Sequence, residues 1–213
     1  MTTVTKVRFQ FAKCGDLRLV SHHDIMRCLE RMLRRASVPI AMSQGFNPRP
    51  KVTFALALGL GIEGQSEVVD LELSEPCEPS QLLVRLKAVA PPGFEWKSAL
   101  PLSADAPAPR PQSVVYRMPI PTDRLAGARS ALEALLSSSS WTVTRHREDR
   151  VSTYDLRPHL VEAYLTSEGV LCFRLRVSPD GSARPEELLE ALALRDLLTS
   201  GAVLTRTDVD LDR

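Results

Sequence analysis

The chain has 213 residues, 44% hydrophobic and 25% charged, and a formal net charge of +1, which excludes an indiscriminate polycation. The sum hides a split, because residues 1–60 carry a net +7 and residues 61–213 a net −6. No long apolar run follows the first charges, the longest apolar stretch (Phe54 to Ile62) is about half a membrane span, and the four cysteines stand singly. A cytoplasmic chain with reduced thiols, no metal site, no cofactor and no membrane contact is expected from these features.

Val7, Phe9 and Phe11 alternate with Arg8 and Gln10, the pattern of a half-buried strand. Cys14-Gly15-Asp16 supplies a turn, and Leu17 to Val20 extends or returns the strand. Ser21 with Asp24 three places on is a capping-box start, and Ile25, Leu29, Met32, Leu33 and Ala36 follow at helical spacing up to Pro39. A Gly/Pro/Asn loop runs from Gln44 to Pro50, followed by an apolar run from Val52 to Leu58 and an alternating strand from Glu67 to Leu73. Pro79 to Ala90 reads as a helix and Phe94 to Leu102 as a strand.

Residues 101–113 carry four prolines and read as a linker. Beyond it the order recurs: strand Val114–Ile120, a helix from Thr122 or Asp123 to about Leu136, and a strand Trp141–Arg145 that Val151–Leu156 extends or pairs with. A hairpin (Leu160–Thr166, Val170–Val177), a helix Arg184–Leu194 and a strand Ala202–Val209 complete it. The expected fold class is α+β, two tandem ferredoxin-like (βαββαβ) units: a basic unit 1–100, the linker 101–113 and a second unit 114–213.

At 100° per residue, Arg27, Arg31, Arg34 and Arg35 occupy a sector of about 100° opposite the apolar face of the first helix. A guanidinium row of that kind suits phosphate contacts and base stacking. Lys13, Arg18, Arg49 and Lys51 are expected to extend it. In the loop, Gln44, Phe46, Asn47 and Arg49 combine an aromatic ring with amide and guanidinium groups, a set suited to an unpaired base. The competing expectation buries Phe46 in the core. In Ser21-His22-His23-Asp24, adjacent histidines do not face one point, so an acid–base site there uses one of them.

The run from Val7 to Leu73 resembles the radical-SAM-linked domain of unknown function, found alone or C-terminal to B12-binding-type radical SAM proteins. The pattern is carried by Lys13, Gly15, Leu17, Arg18, Ser21, His22, Asp24, the Arg-rich helix, Gln44 to Pro48, Pro50, Gly61 and Glu67. His23 departs from it, which favours His22 as the catalytic candidate. The resemblance implies an accessory protein working with a radical SAM enzyme, and points toward RNA. Three expectations follow: a non-catalytic tRNA/rRNA recognition or substrate-presenting module, a metal-independent RNA-processing endonuclease using His22, or a protein-only adaptor docked on the enzyme.

Overall fold

Val7, Phe9 and Phe11 are at most 2% exposed while Gln10 faces solvent, so the first alternating segment is a strand, β1 (Val4–Lys13). The computed structural model describes residues 3–147, 150–178 and 181–212. They form a mixed α+β protein that divides into two units. The first runs through Pro111 and takes in Leu211 and Asp212, and the second is Gln112–Asp210.

In the first unit β1 is followed by α1 (His22–Arg35), β2 (Val52–Phe54), β3 (Glu63–Cys77), α2 (Pro79–Lys87) and β4 (Phe94–Leu102). The sheet order is β4-β1-β3-β2, with each neighbour pair antiparallel. Phe9 lies opposite Val69 on one side and Ala99 on the other. One face of this sheet and the apolar face of α1 make a single core that includes Phe9, Leu29, Met32, Leu33, Val69 and Leu71. Phe11 stacks on Phe94 at 4.7 Å, and Trp96 meets Phe9 edge-on at 5.2 Å.

Two expectations are corrected here. Leu17 to Val20 neither extends nor returns the strand, because Gly15–Leu19 is a 3-10 turn. Gly15 takes the left-handed conformation (φ +59°), and the Arg18 carbonyl accepts from Gly61 N at 2.8 Å, which tie the segment down. The apolar run 52–58 pairs only as far as Phe54; Ala55 N then donates to Val68 O at 3.0 Å and the chain leaves the ladder.

The second unit comprises β5 (Pro111–Pro119), α3 (Leu125–Ser137), β6 (Thr142–Arg147), β7 (Arg150–Asp155), β8 (Leu160–Leu165), β9 (Val170–Arg176), α4 (Pro185–Ala191), α5 (Asp196–Thr199) and β10 (Thr205–Leu211). Its sheet order is β10-β5-β9-β8, while β6 and β7 pair with each other as a separate hairpin. The expected linker 101–113 shrinks to residues 103–110, since Leu102 still pairs with Lys6 in β4 and Ser113 with Arg176 in β5. The expected helix 184–194 stops at Ala191. Ala193 turns left-handed (φ +54°), and the chain restarts as α5.

Arg145 fastens the β6–β7 hairpin to α4. Its guanidinium donates to both carboxylate oxygens of Glu187 at 2.7 and 2.8 Å, and to Ser182 O at 2.8 Å. The Tyr154 hydroxyl and Arg184 N also donate to Glu187, each at 2.6 Å. Burial opposes the charge on Glu187, but these donors outweigh it and hold the carboxyl below its usual value of 4.5. A depressed carboxylate stabilises the fold above its unfolded value, and that contribution is lost as pH falls through the folded value. Urea titrations from pH 7 down to pH 3 are therefore expected to lose stability below about 4.5, with a shallower loss in Glu187→Gln. Glu187→Ala, which strands the guanidinium, is expected to cost about 3 kcal/mol at pH 7.

Candidate nucleic-acid interface

Ser21 caps α1: its Oγ accepts from Asp24 N at 3.2 Å and donates to the Asp24 carboxylate at 2.7 Å. The second bond replaces the backbone half of a capping box and, with Arg27 nearby, holds the Asp24 carboxyl below its ordinary range. With Ile25, Leu29, Met32 and Leu33 turned into the core, helical geometry leaves Arg27, Arg31, Arg34 and Arg35 outside, and all four are exposed. Arg34 and Arg35 sit in the last turn, where the helix dipole favours cations.

Partners separate the ten basic residues of the first 60. Arg8 grips Asp70 with two bonds of 2.7 and 2.9 Å between β1 and β3, Lys51 pairs with Glu72 at 2.7 Å, and Arg27 pairs with Asp24 at 3.2 Å. Lys6 is buried and donates to Ala106 O. Arg18 is half-buried with one bond to Gly15 O at 3.1 Å. Among the described residues, no salt bridge engages Arg31, Arg34, Arg35 or Arg49. The available positive charge is thus concentrated on the C-terminal half of α1 and the loop.

That loop closes at a neck. Ser43 N donates to Arg49 O at 2.8 Å, Arg49 N to the Ser43 hydroxyl at 2.9 Å, and Lys51 N to Ala41 O at 2.8 Å. Gly45 turns at φ +130°. Gln44, Asn47 and Arg49 are exposed, and Phe46 is fully exposed, so the expectation that Phe46 plugs the core is overturned.

Lys13 does not extend the basic surface. It is 2% exposed, and its ammonium donates to Val20 O at 2.8 Å. The strand that buries Phe9 and Phe11 carries Lys13 inward with them. There it lines a cavity with His22, from the first turn of α1, and with Glu67 of β3, which is 3% exposed. Sequence reasoning placed Glu67 only in a motif, and missed Phe54, whose ring meets the His22 ring edge-on at 5.1 Å. Among the described residues no group of His, Cys, Asp and Glu has the arrangement of a metal site, and no helix is long and apolar enough to cross a membrane.

The sequence matches the model of the family described as "Uncharacterized protein conserved in bacteria (DUF2344)" over residues 6–185, and the chain belongs to that family. No curated protein matches it. Among solved structures it is similar to a chain of a Cbf5-Nop10-Gar1 complex, at 12% identity and a TM-score of 0.42, covering 96% of this chain. It spans about half (49%) of that chain's length. It is also similar to an unknown protein from Galdieria sulphuraria, at 15% identity and a TM-score of 0.29, over 98% of this chain and 99% of the other.

Two substitutions test these placements. Phe46→Ala is expected to leave the unfolding free energy unchanged, within about 0.5 kcal/mol, because the ring is fully exposed. At Gly64, a Cβ would stand 2.6 Å from Cγ and Oε1 of Glu67. Gly64→Ala is therefore expected to cost about 2 kcal/mol by overpacking, and a double-mutant cycle with Glu67→Ala should recover most of it.

Proposed function

We propose that this DUF2344 member is a non-catalytic, cytoplasmic RNA-recognition module that presents tRNA or rRNA to a radical SAM enzyme of the B12-binding type. The observation that carries the RNA part is the outward row Arg27, Arg31, Arg34 and Arg35, joined in the same unit by a fully exposed aromatic loop residue. Guanidinium groups in that setting bind phosphate oxygens at little desolvation cost, and an exposed ring stacks on any base. The enzyme part rests on the sequence resemblance. The two units read as tandem ferredoxin-like repeats, a reading supported by their strand orders, β4-β1-β3-β2 and β10-β5-β9-β8 with an inserted hairpin.

Cleavage of RNA by His22 is a weaker reading. The groups beside it, Lys13 and Glu67, are almost fully buried and out of reach of a phosphodiester backbone. Docking on the enzyme without RNA remains the third reading, and nuclease treatment before a pull-down separates it from the first. For the RNA reading, replacing Arg27, Arg31 and Arg34 with Glu is expected to abolish filter retention of RNA at low salt. The wild-type affinity should fall with log salt at a slope of about −2 for three phosphate contacts to a single strand. Retention unchanged in the triple variant, or insensitive to salt, overturns it.

A further inference from the structure

The sheet of the second unit has two unlike sides, sorted by the alternation of its strands. Tyr116 and Met118 of β5, Phe173 and Leu175 of β9 and Ala163 of β8 are buried on one side. Register sets the residues between them in rows on the other. Arg117 lies opposite Cys172, and Cys172 opposite Tyr164. Val115 lies opposite Arg174, Arg174 opposite Glu162, and Ser113 opposite Arg176.

The charges in these rows separate by their partners. Arg174 donates to Glu162 at 3.1 Å and also pairs with Asp210 of β10, so one guanidinium engages both acids. Arg117 and Arg176 are exposed, and neither enters a salt bridge among the described residues. The charge left available there is therefore positive. Cys172 is buried and Val115 half-buried, so the Tyr164 ring, 52% exposed, is the one open apolar surface in the rows. A single ring is too little area for a stable protein interface, but it is enough to receive one base. The Cys172 thiol hydrogen-bonds with the Tyr164 hydroxyl, which steadies the ring without covering it. With strands about 4.8 Å apart and residues about 3.4 Å apart along each, Arg117 stands about 10 Å from Tyr164 and about 14 Å from Arg176.

Building on the RNA reading above, we propose that this side of the second unit's sheet is a further contact for single-stranded RNA. One base stacks on Tyr164, and the phosphates on either side of it bind Arg117 and Arg176. The contact selects an unpaired strand, because a duplex keeps its base faces stacked on one another. It carries no strong base preference, since every base offers a ring face and the guanidinium groups meet only the backbone.

The test uses the full chain and a fluorescent oligouridine, with anisotropy as the readout. Tyr164→Ala is expected to weaken binding about tenfold, and Tyr164→Phe, which keeps the ring, to bind as the wild type does. Arg117→Glu/Arg176→Glu is expected to weaken binding and to make the salt slope shallower by about 1.4, for two phosphate contacts to a single strand. A photoactivatable thiouridine strand should crosslink to the peptide that carries Tyr164, and the same strand annealed to its complement should not. Wild-type affinity in both Tyr164→Ala and Arg117→Glu/Arg176→Glu overturns the sheet contact and leaves the α1 reading intact. Wild-type affinity in one of them removes its residues from the contact, and Tyr164→Phe as weak as Tyr164→Ala overturns the stacking. Loss in both, with binding unchanged in Arg27→Glu/Arg31→Glu/Arg34→Glu, upholds the sheet contact and overturns the α1 reading. No RNA bound by the wild type overturns both. If Tyr164→Ala lacks a cooperative unfolding transition, the arginine pair, exposed and outside the core, carries the test.

Discussion

Burial of one face of α1 against the β1–β3 ladder is the constraint from which the rest of the first unit follows. Phe9, Leu29, Val69 and Leu71 are wholly withdrawn from water in that core, each contributing about 1.5–3 kcal/mol. Once they are inside, helical geometry leaves no freedom in where the arginines go. The same rotation sets His22 beside Phe54 at the other end of the helix. The core thus orients two chemically different surfaces at once: an exposed cationic row and a small, mostly apolar recess.

Arginine does two kinds of work in this chain. Arg8 with Asp70 and Arg145 with Glu187 are paired by two bonds each, little exposed, and hold one strand to another or a hairpin to a helix. Hydrogen bonding to the partner carboxylate, against the cost of burial, raises the pKa of both guanidinium groups. Arg31, Arg34 and Arg35 lack such partners among the described residues. Formal charge per segment therefore overstates the attractive field, because Arg8, Lys6, Lys13 and Lys51 are already committed within the fold. What is left is narrower and better defined than a basic half.

Most strands and helices were legible because apolar periodicity is a local property. Val7, Phe9 and Phe11 announced β1, and Ser21 announced the start of α1. Lys13 was misplaced even though the same alternation points it inward: an ammonium reads as surface unless its surroundings in the fold are known, and Glu67, which lines the same cavity, lies 54 residues away. The β6–β7 hairpin was ambiguous for a related reason. A short strand carries no label for its neighbour, and pairing with β7 became distinct from joining the main sheet only through Arg145 and Glu187. The 3-10 turn at Gly15 depends on its bond from Gly61, again a distant contact.

The neck that closes the Gln44–Pro48 loop bears on how long the proposed RNA complex would last. Three hydrogen bonds, Gly45 and the prolines at 48 and 50 hold the loop in shape before any partner arrives. Little backbone freedom remains to be surrendered when Phe46 is covered, so less of the contact energy is spent on ordering. For closely related complexes such savings appear chiefly as slower dissociation. In the proposed RNA complex, the stiffness of this short surface segment would lengthen the residence time.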